Sequence, residues 1–232
     1  MTAMAMTGNR ARQGQLETRV RPPAVAALEW GTLPLGKAPG GLIYVPAGYR
    51  ADRPAPLVVM LHGAGGDAEQ SISILRHAAD ARRMLVVALK SRGPTWDLLL
   101  EDFGPDVAAL DQALAWVFEH YAVDPELVAI GGFSDGASYA LSLGLTNGAL
   151  FKHVLAFSPG YAAPTVRQGT PRLFVSHGKR DSVLNIDACS RRLVPRLQKA
   201  GYEVLYREFD GPHTVPGDIT REAVEWFAPA PK

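Results

Sequence analysis

Unbroken apolar runs punctuate the chain, and helical patterns separate them. Leu57–Leu61, Met84–Leu89, Leu127–Ile130, Val154–Phe157 and Leu173–Ser176 each read as a strand covered on both faces. Gly41–Val45, ended by Pro46, and Val204–Phe209 are two further strands. Between them, Asp67 can cap a helix carrying Ile72, Ile74 and Leu75. From about Phe103 to Tyr121, Val107, Leu110, Leu114 and Val117 recur at three- and four-residue spacing, which gives one apolar face. Ala137–Leu145, Asp187–Lys199 (interrupted near Pro195, with Gly201 beyond its end) and Ile219–Phe227 complete the helices. Strands alternating with helices predict an α/β fold: a mostly parallel central sheet, helices on both faces, in one domain over 25–232. Met1 to Pro23 has no sustained apolar run and reads with residue 24 as a disordered tail.

Composition adds little that is positive and removes several classes. A net charge of +1, without a basic block, gives no reason to expect nucleic acid or an anionic membrane as partner. No stretch is apolar enough for long enough to cross a bilayer, and with no secretory leader pattern the expected location is cytoplasmic. The single cysteine, Cys189, rules out an intrachain disulfide. Oligomeric state is not readable.

The chemistry is carried by what ends the strands. Gly132-Phe133-Ser134-Asp135-Gly136 fits G-x-S-x-G, directly after a strand and before a helix. That setting places a serine on a tight turn with its hydroxyl above the sheet edge. A serine needs a base to attack at neutral pH. Three histidines lie downstream: His153, His177 and His213. His213, in the Gly211–Thr214 loop after the last strand, is at the edge where such a site is built. Asp181 follows the Leu173–Ser176 strand and stands between Ser134 and His213 in sequence, as the acid should. Asp187 is the alternative acid but is better placed to start a helix. Two backbone N–H groups should receive the oxyanion, from Asp135 and from Ala64 in His62-Gly63-Ala64-Gly65-Gly66. His62 reads as a brace for that loop. Trp96 and Tyr161, each following a strand, are candidate substrate contacts. Leu98 and Leu99 stand beside Trp96, and the alternative for all three is that they pack their loop down.

The same glycine loop opens a rival reading. Gly63–Ala68 fits G-x-G-x-x-A, a dinucleotide fingerprint. No acid follows at Leu89-Lys90-Ser91-Arg92, where a ribose would need one, and the rival leaves Ser134, Asp181 and His213 without a purpose.

Val45–Arg50, Pro56–Gly63, Gly132–Gly136, Ser176–Asp181 and Gly211–His213 together resemble the α/β-hydrolase phospholipase/carboxylesterases and polyhydroxybutyrate-depolymerase-like esterases. The resemblance spans roughly Gly41 to Phe227. It implies a serine hydrolase cleaving small-molecule carboxylic esters through an acyl-enzyme, without cofactor or metal. The chain lacks the paired cysteines and polymer-binding domain of secreted depolymerases. Ser158 to Arg172 is too short for a large cap, so an open site taking small or medium esters is expected. A peptidase or acyltransferase with the same triad, and a non-catalytic scaffold of this fold, are the competing functions.

Overall fold

The computed structural model describes residues 10–25, 29–36 and 38–228. The elements run β1 (Gly31–Pro34), β2 (Leu42–Val45), β3 (Ala55–Leu61), α1 (Ala68–Arg82), β4 (Leu85–Leu89), α2 (Asp97–Leu100), α3 (Pro105–His120) and β5 (Val123–Phe133). They continue with α4 (Asp135–Thr146), β6 (His153–Phe157), β7 (Arg172–Gly178), α5 (Ser190–Lys199), β8 (Val204–Phe209) and α6 (Gly217–Phe227). One sheet of eight strands has the order β1-β2-β4-β3-β5-β6-β7-β8. The two N-terminal strands join antiparallel, and every pair from β4 to β8 is parallel. β1, unforeseen in the sequence, forms the edge.

The strand period of two sorts each apolar run onto two cores. Leu57, Val59 and Leu61 of β3 face the side covered by α3, α4 and α5, where Val107, Leu114, Leu141 and Leu197 pack. Val58 and Met60 face the other side, against Ile72 and Leu75 of α1 and Val224 and Phe227 of α6. This two-sided burial is why the central strands have no polar alternation. It also aims the C-terminal ends of the parallel strands at one edge of the sheet, where ligands bind in such folds.

Local chemistry sets the boundaries. Asp67 caps α1, its Oδ1 accepting the Gln70 N–H at 2.9 Å. α5 starts at Ser190 rather than Asp187, because the Asn185 side chain takes the N–H groups of Asp187 and Ala188 in a turn. The helix then runs through Pro195, and Gly201 takes φ +91° just beyond it.

The expectation of a disordered tail over 1–24 needs correction for its described part; residues 1–9 lie outside the described residues. Ala11 and Leu16 are buried in the core beside α3 and α4. Asn147, at the end of α4, accepts the Leu16 N–H and donates to the Gly14 carbonyl. Asp111 on α3 accepts the N–H groups of Glu17 and Thr18. Among the described residues no helix is long and apolar enough to cross a membrane.

Candidate active site

Ser134 joins β5 to α4 at φ 57°, ψ −119°, a backbone conformation that costs a side-chain-bearing residue strain energy. Surrounding contacts impose it. The Ser134 N–H donates to the Phe157 carbonyl at the end of β6, and the Ser134 carbonyl accepts from Ala137 and Ser138. The flanking glycines are steric necessities. A Cβ on Gly132 would lie 2.2 Å from the Gly136 carbonyl oxygen, and one on Gly136 would lie 2.3 Å from that of Leu61. The turn therefore closes hard against both α4 and β3, and the serine sits at the sheet edge.

Asp181 follows β7 and is almost wholly buried. Its Oδ1 accepts the N–H groups of Val183 at 2.9 Å and Leu184 at 2.8 Å. Its Oδ2 accepts the His213 Nδ1–H at 2.6 Å. Burial alone would raise the Asp181 carboxyl, but the bonds from His213 and from the two backbone groups outweigh it and hold its pKa below the usual range. The two loops are laced together behind this pair. Lys179 N–H donates to the Phe209 carbonyl and Arg180 N–H to that of Gly211. Gly178 packs so closely on Gly211 and Pro212 that a Cβ would come within 2.5 Å of both carbonyl oxygens.

Donation from Nδ1 fixes the His213 tautomer, leaving Nε2 as the proton acceptor. The imidazole lies over Phe133, the residue before Ser134, with ring centroids 4.6 Å apart. The structure thus brings His213 to the turn that holds Ser134, while no Ser134–His213 hydrogen bond is formed among the described residues.

Sequence reasoning gave His177 no role, yet it lies directly beneath Asp181. Fully buried, it donates from Nε2 to the Leu184 carbonyl, accepts from Ser190 Oγ at Nδ1, and has Nε2 3.2 Å from Asp181 Oδ2. Burial pushes its pKa down, against the pull of the Leu184 carbonyl and the Asp181 carboxylate. Only the packing of Ser190 and the Asp181–Leu184 turn around it discloses this.

On the other flank, the glycine loop passes close by the serine: a Cβ on Gly63 would lie 3.3 Å from that of Ser134. His62 braces this loop, donating from Nδ1 to the Gly63 carbonyl and accepting the Ser91 N–H at Nε2. The Gly65 N–H is used by the Pro94 carbonyl and that of Gly66 by Gly63. Two of the amides a dinucleotide pyrophosphate would need are therefore taken. Thr95 Oγ1–H holds the Asp135 carboxylate at 2.8 Å, anchoring the first residue of α4.

Trp96 does not line an accessible pocket. It is 2% exposed, stacked between His62 and Tyr139, with Nε1–H donating to the His62 carbonyl. The indole finds its acceptor beneath the glycine loop, which makes it a support of that loop and not a substrate contact. Tyr161 keeps 38% of its surface exposed, and Val183 and Leu100 are more open still. All three lie in segments that follow strands ending at this edge.

Residues 109–193, which include Ser134 and Asp181 but stop short of His213, match the family model named Esterase. No curated protein matches the chain in sequence. Among solved structures, the chain superposes on a thermostable esterase with TM-score 0.66 at 21% identity, covering 81% of this chain and 58% of that protein. The chain thus spans little more than half the length of that relative. It is also similar to a Bacillus cereus carboxylesterase (TM-score 0.62, 18% identity, 81% of this chain, 92% of that one). A phospholipase/carboxylesterase from Dyadobacter fermentans has TM-score 0.57 and 23% identity, over 85% of this chain and 99% of that one. The fold is that of the α/β-hydrolases.

Proposed function

We propose that the chain is a serine hydrolase that cleaves carboxylic esters, with Ser134 as nucleophile, His213 as base and Asp181 as the acid that orients it. The observation that carries this reading is the 2.6 Å Asp181–His213 bond, with the imidazole laid over Phe133, the residue before the G-x-S-x-G serine and its strained turn. The Esterase match over the nucleophile segment and the fold shared with esterases point the same way.

In this reading His213 Nε2 takes the Ser134 hydroxyl proton as Oγ bonds to the ester carbonyl carbon. The carbonyl oxygen becomes an oxyanion, received by the backbone N–H groups of Ala64 and Asp135. Collapse breaks the bond to the alkoxy group, and the departing oxygen takes the proton from His213. Water then attacks the acyl-enzyme by the same route, releasing the acid. Asp181, held by two backbone donors, stabilises the imidazolium formed in each half-cycle. With no helical cap between β6 and β7, the site suits small or medium esters.

Para-nitrophenyl acetate hydrolysis by purified protein tests the assignment. Ser134→Ala should lower turnover by about 10³- to 10⁶-fold. Turnover unchanged by that substitution overturns it.

A further inference from the structure

The carboxylates in segments that follow β4, β5 and β7 are unequally engaged. Asp97 accepts from the Leu98 N–H and the Tyr139 hydroxyl at Oδ1, and from the N–H groups of Gly104 and Asp106 at Oδ2. Asp106 accepts the N–H groups of Arg92 and Asp97, one on each oxygen. Asp181 is likewise filled on both oxygens. Asp135 differs. Its Oδ2 accepts the Thr95 hydroxyl, and its Oδ1 accepts no hydrogen bond among the described residues. It forms no ion pair among them either, and it is only half-buried.

Asp135 is the first residue of α4, so its Cα stands about 3.8 Å from that of Ser134. A helical Cα–Cβ bond tilts toward the helix N-terminus, which aims this side chain back toward the catalytic edge. The residues one turn further on fix which segments flank it. Ser138 Oγ accepts the Gly160 N–H and so seats the segment after β6. Tyr139 donates to Asp97 and stacks on Trp96, seating the segment after β4, from which Thr95 reaches Asp135. The Asp135 carboxylate therefore stands between these two segments, beside the nucleophile.

A fixed negative charge at this point opposes attack on a neutral ester. Attack builds negative charge on the carbonyl oxygen, and the Asp135 carboxylate belongs to the residue whose own N–H is to receive it. A cation carried by the substrate offsets that opposition. Tyr161 directly follows Gly160 and keeps 38% of its surface exposed, so an aromatic face is open to such a cation. Burial and then the Asp135 charge raise the Tyr161 hydroxyl pKa, which puts the two groups within electrostatic reach of each other.

We propose that Asp135 is a specificity-determining residue: its unbonded carboxylate oxygen pairs with a positively charged group of the substrate, so that the preferred esters carry an ammonium a few bonds from the ester group. An acid in the first turn also suits the N-terminus of α4, but that role is indifferent to the charge of the ester. This rests on the esterase reading above, and the test keeps the two separable.

The measurement is the ratio of kcat/KM for a cationic ester to that for its neutral carbon isostere, each divided by its rate of hydrolysis by hydroxide. Acetylcholine against 3,3-dimethylbutyl acetate puts the charge on the alcohol side. Para-nitrophenyl 4-(trimethylammonio)butyrate against para-nitrophenyl 5,5-dimethylhexanoate puts it on the acyl side. In at least one pair the wild type should favour the cationic ester. Asp135→Asn, which keeps the backbone N–H and the size of the side chain, should cut that ratio by about fivefold or more, the factor that one charge pair of about 1 kcal/mol gives. Asp135→Ser, which keeps a residue suited to a helix start, should do the same. A wild type without that preference in either pair, or ratios unchanged in the variants, overturns the proposal. If wild type hydrolyses none of these esters, the esterase reading fails, and saturation-transfer NMR with tetramethylammonium still decides the site. Binding that Asp135→Asn loses supports it; binding that persists in the variant, or no binding at all, overturns it.

Discussion

The strain at Ser134 can be isolated by comparing two substitutions that both remove the hydroxyl. Ser134→Ala keeps a Cβ at φ 57°, ψ −119°, while Ser134→Gly removes it. A residue held in such a region carries about 1–3 kcal/mol of strain, and this conformation belongs to glycine territory, so about 2–3 kcal/mol is apt. Glycine gives back about 0.5–1 kcal/mol through the freedom it gains in the unfolded chain. The glycine variant should therefore be the more stable of the two by about 1–2 kcal/mol. For a chain of this size that is roughly 3–6 °C in melting temperature. Paired denaturant titrations and thermal melts measure it, and both variants should be without esterase activity. An alanine variant as stable as the glycine variant would refute the claim that the turn holds the serine under strain. Retained activity in either would refute its role as nucleophile.

Gly136→Ala should damage both stability and turnover, because its Cβ would stand 2.3 Å from the Leu61 carbonyl oxygen and 2.5 Å from that of His62. The helix must then retreat from β3 at a cost of about 1–3 kcal/mol, and a misplaced Ser134 should lose on the order of 10² in kcat; full activity in a folded variant contradicts this. Asp181→Asn should lower kcat by about 10²- to 10⁴-fold with little change in KM, since His213 loses the charge that orients it and stabilises its imidazolium; an unchanged kcat contradicts the pairing. His153 is nearly buried against Trp226 and Phe227, with its Nδ1 unpartnered, and burial lowers its pKa to about 4. The unfolded chain takes up that proton below about 6.5 and the folded chain only near 4, so stability should fall by about 1–3 kcal/mol as pH drops through this window. Urea titrations of wild type and His153→Gln at several pH values check it, and an equally steep decline in the variant contradicts it.

How much of this could be read in advance depended on the range of the interactions. Val58, Val86 and Ile130 sit in runs that only two-sided burial explains, so strand existence and the parallel sheet were legible. Ser134, Asp181 and His213 were legible as candidates because each follows a strand, and parallel strands deliver their C-terminal ends to one edge. Trp96 was misread for a specific reason: its place after β4 predicts the rim, but its indole N–H has an acceptor, the His62 carbonyl, underneath it. The N-terminal segment was misread because its sequence is polar. Its partners, Asp111 and Asn147, are about a hundred positions away or more, and nothing local announces them. His177 is only four positions from Asp181, but its burial and its bond to Ser190 arise only when α5 packs against β7, and nothing local announces them.

The central claim, that His213 and Asp181 make the Ser134 hydroxyl reactive, is tested most directly by a fluorophosphonate and peptide mass mapping of the labelled protein. The account predicts one phosphonylated residue, Ser134, with labelling absent in Ser134→Ala and strongly slowed in His213→Gln. Labelling at a different residue, or none at all on folded wild-type protein, would contradict it.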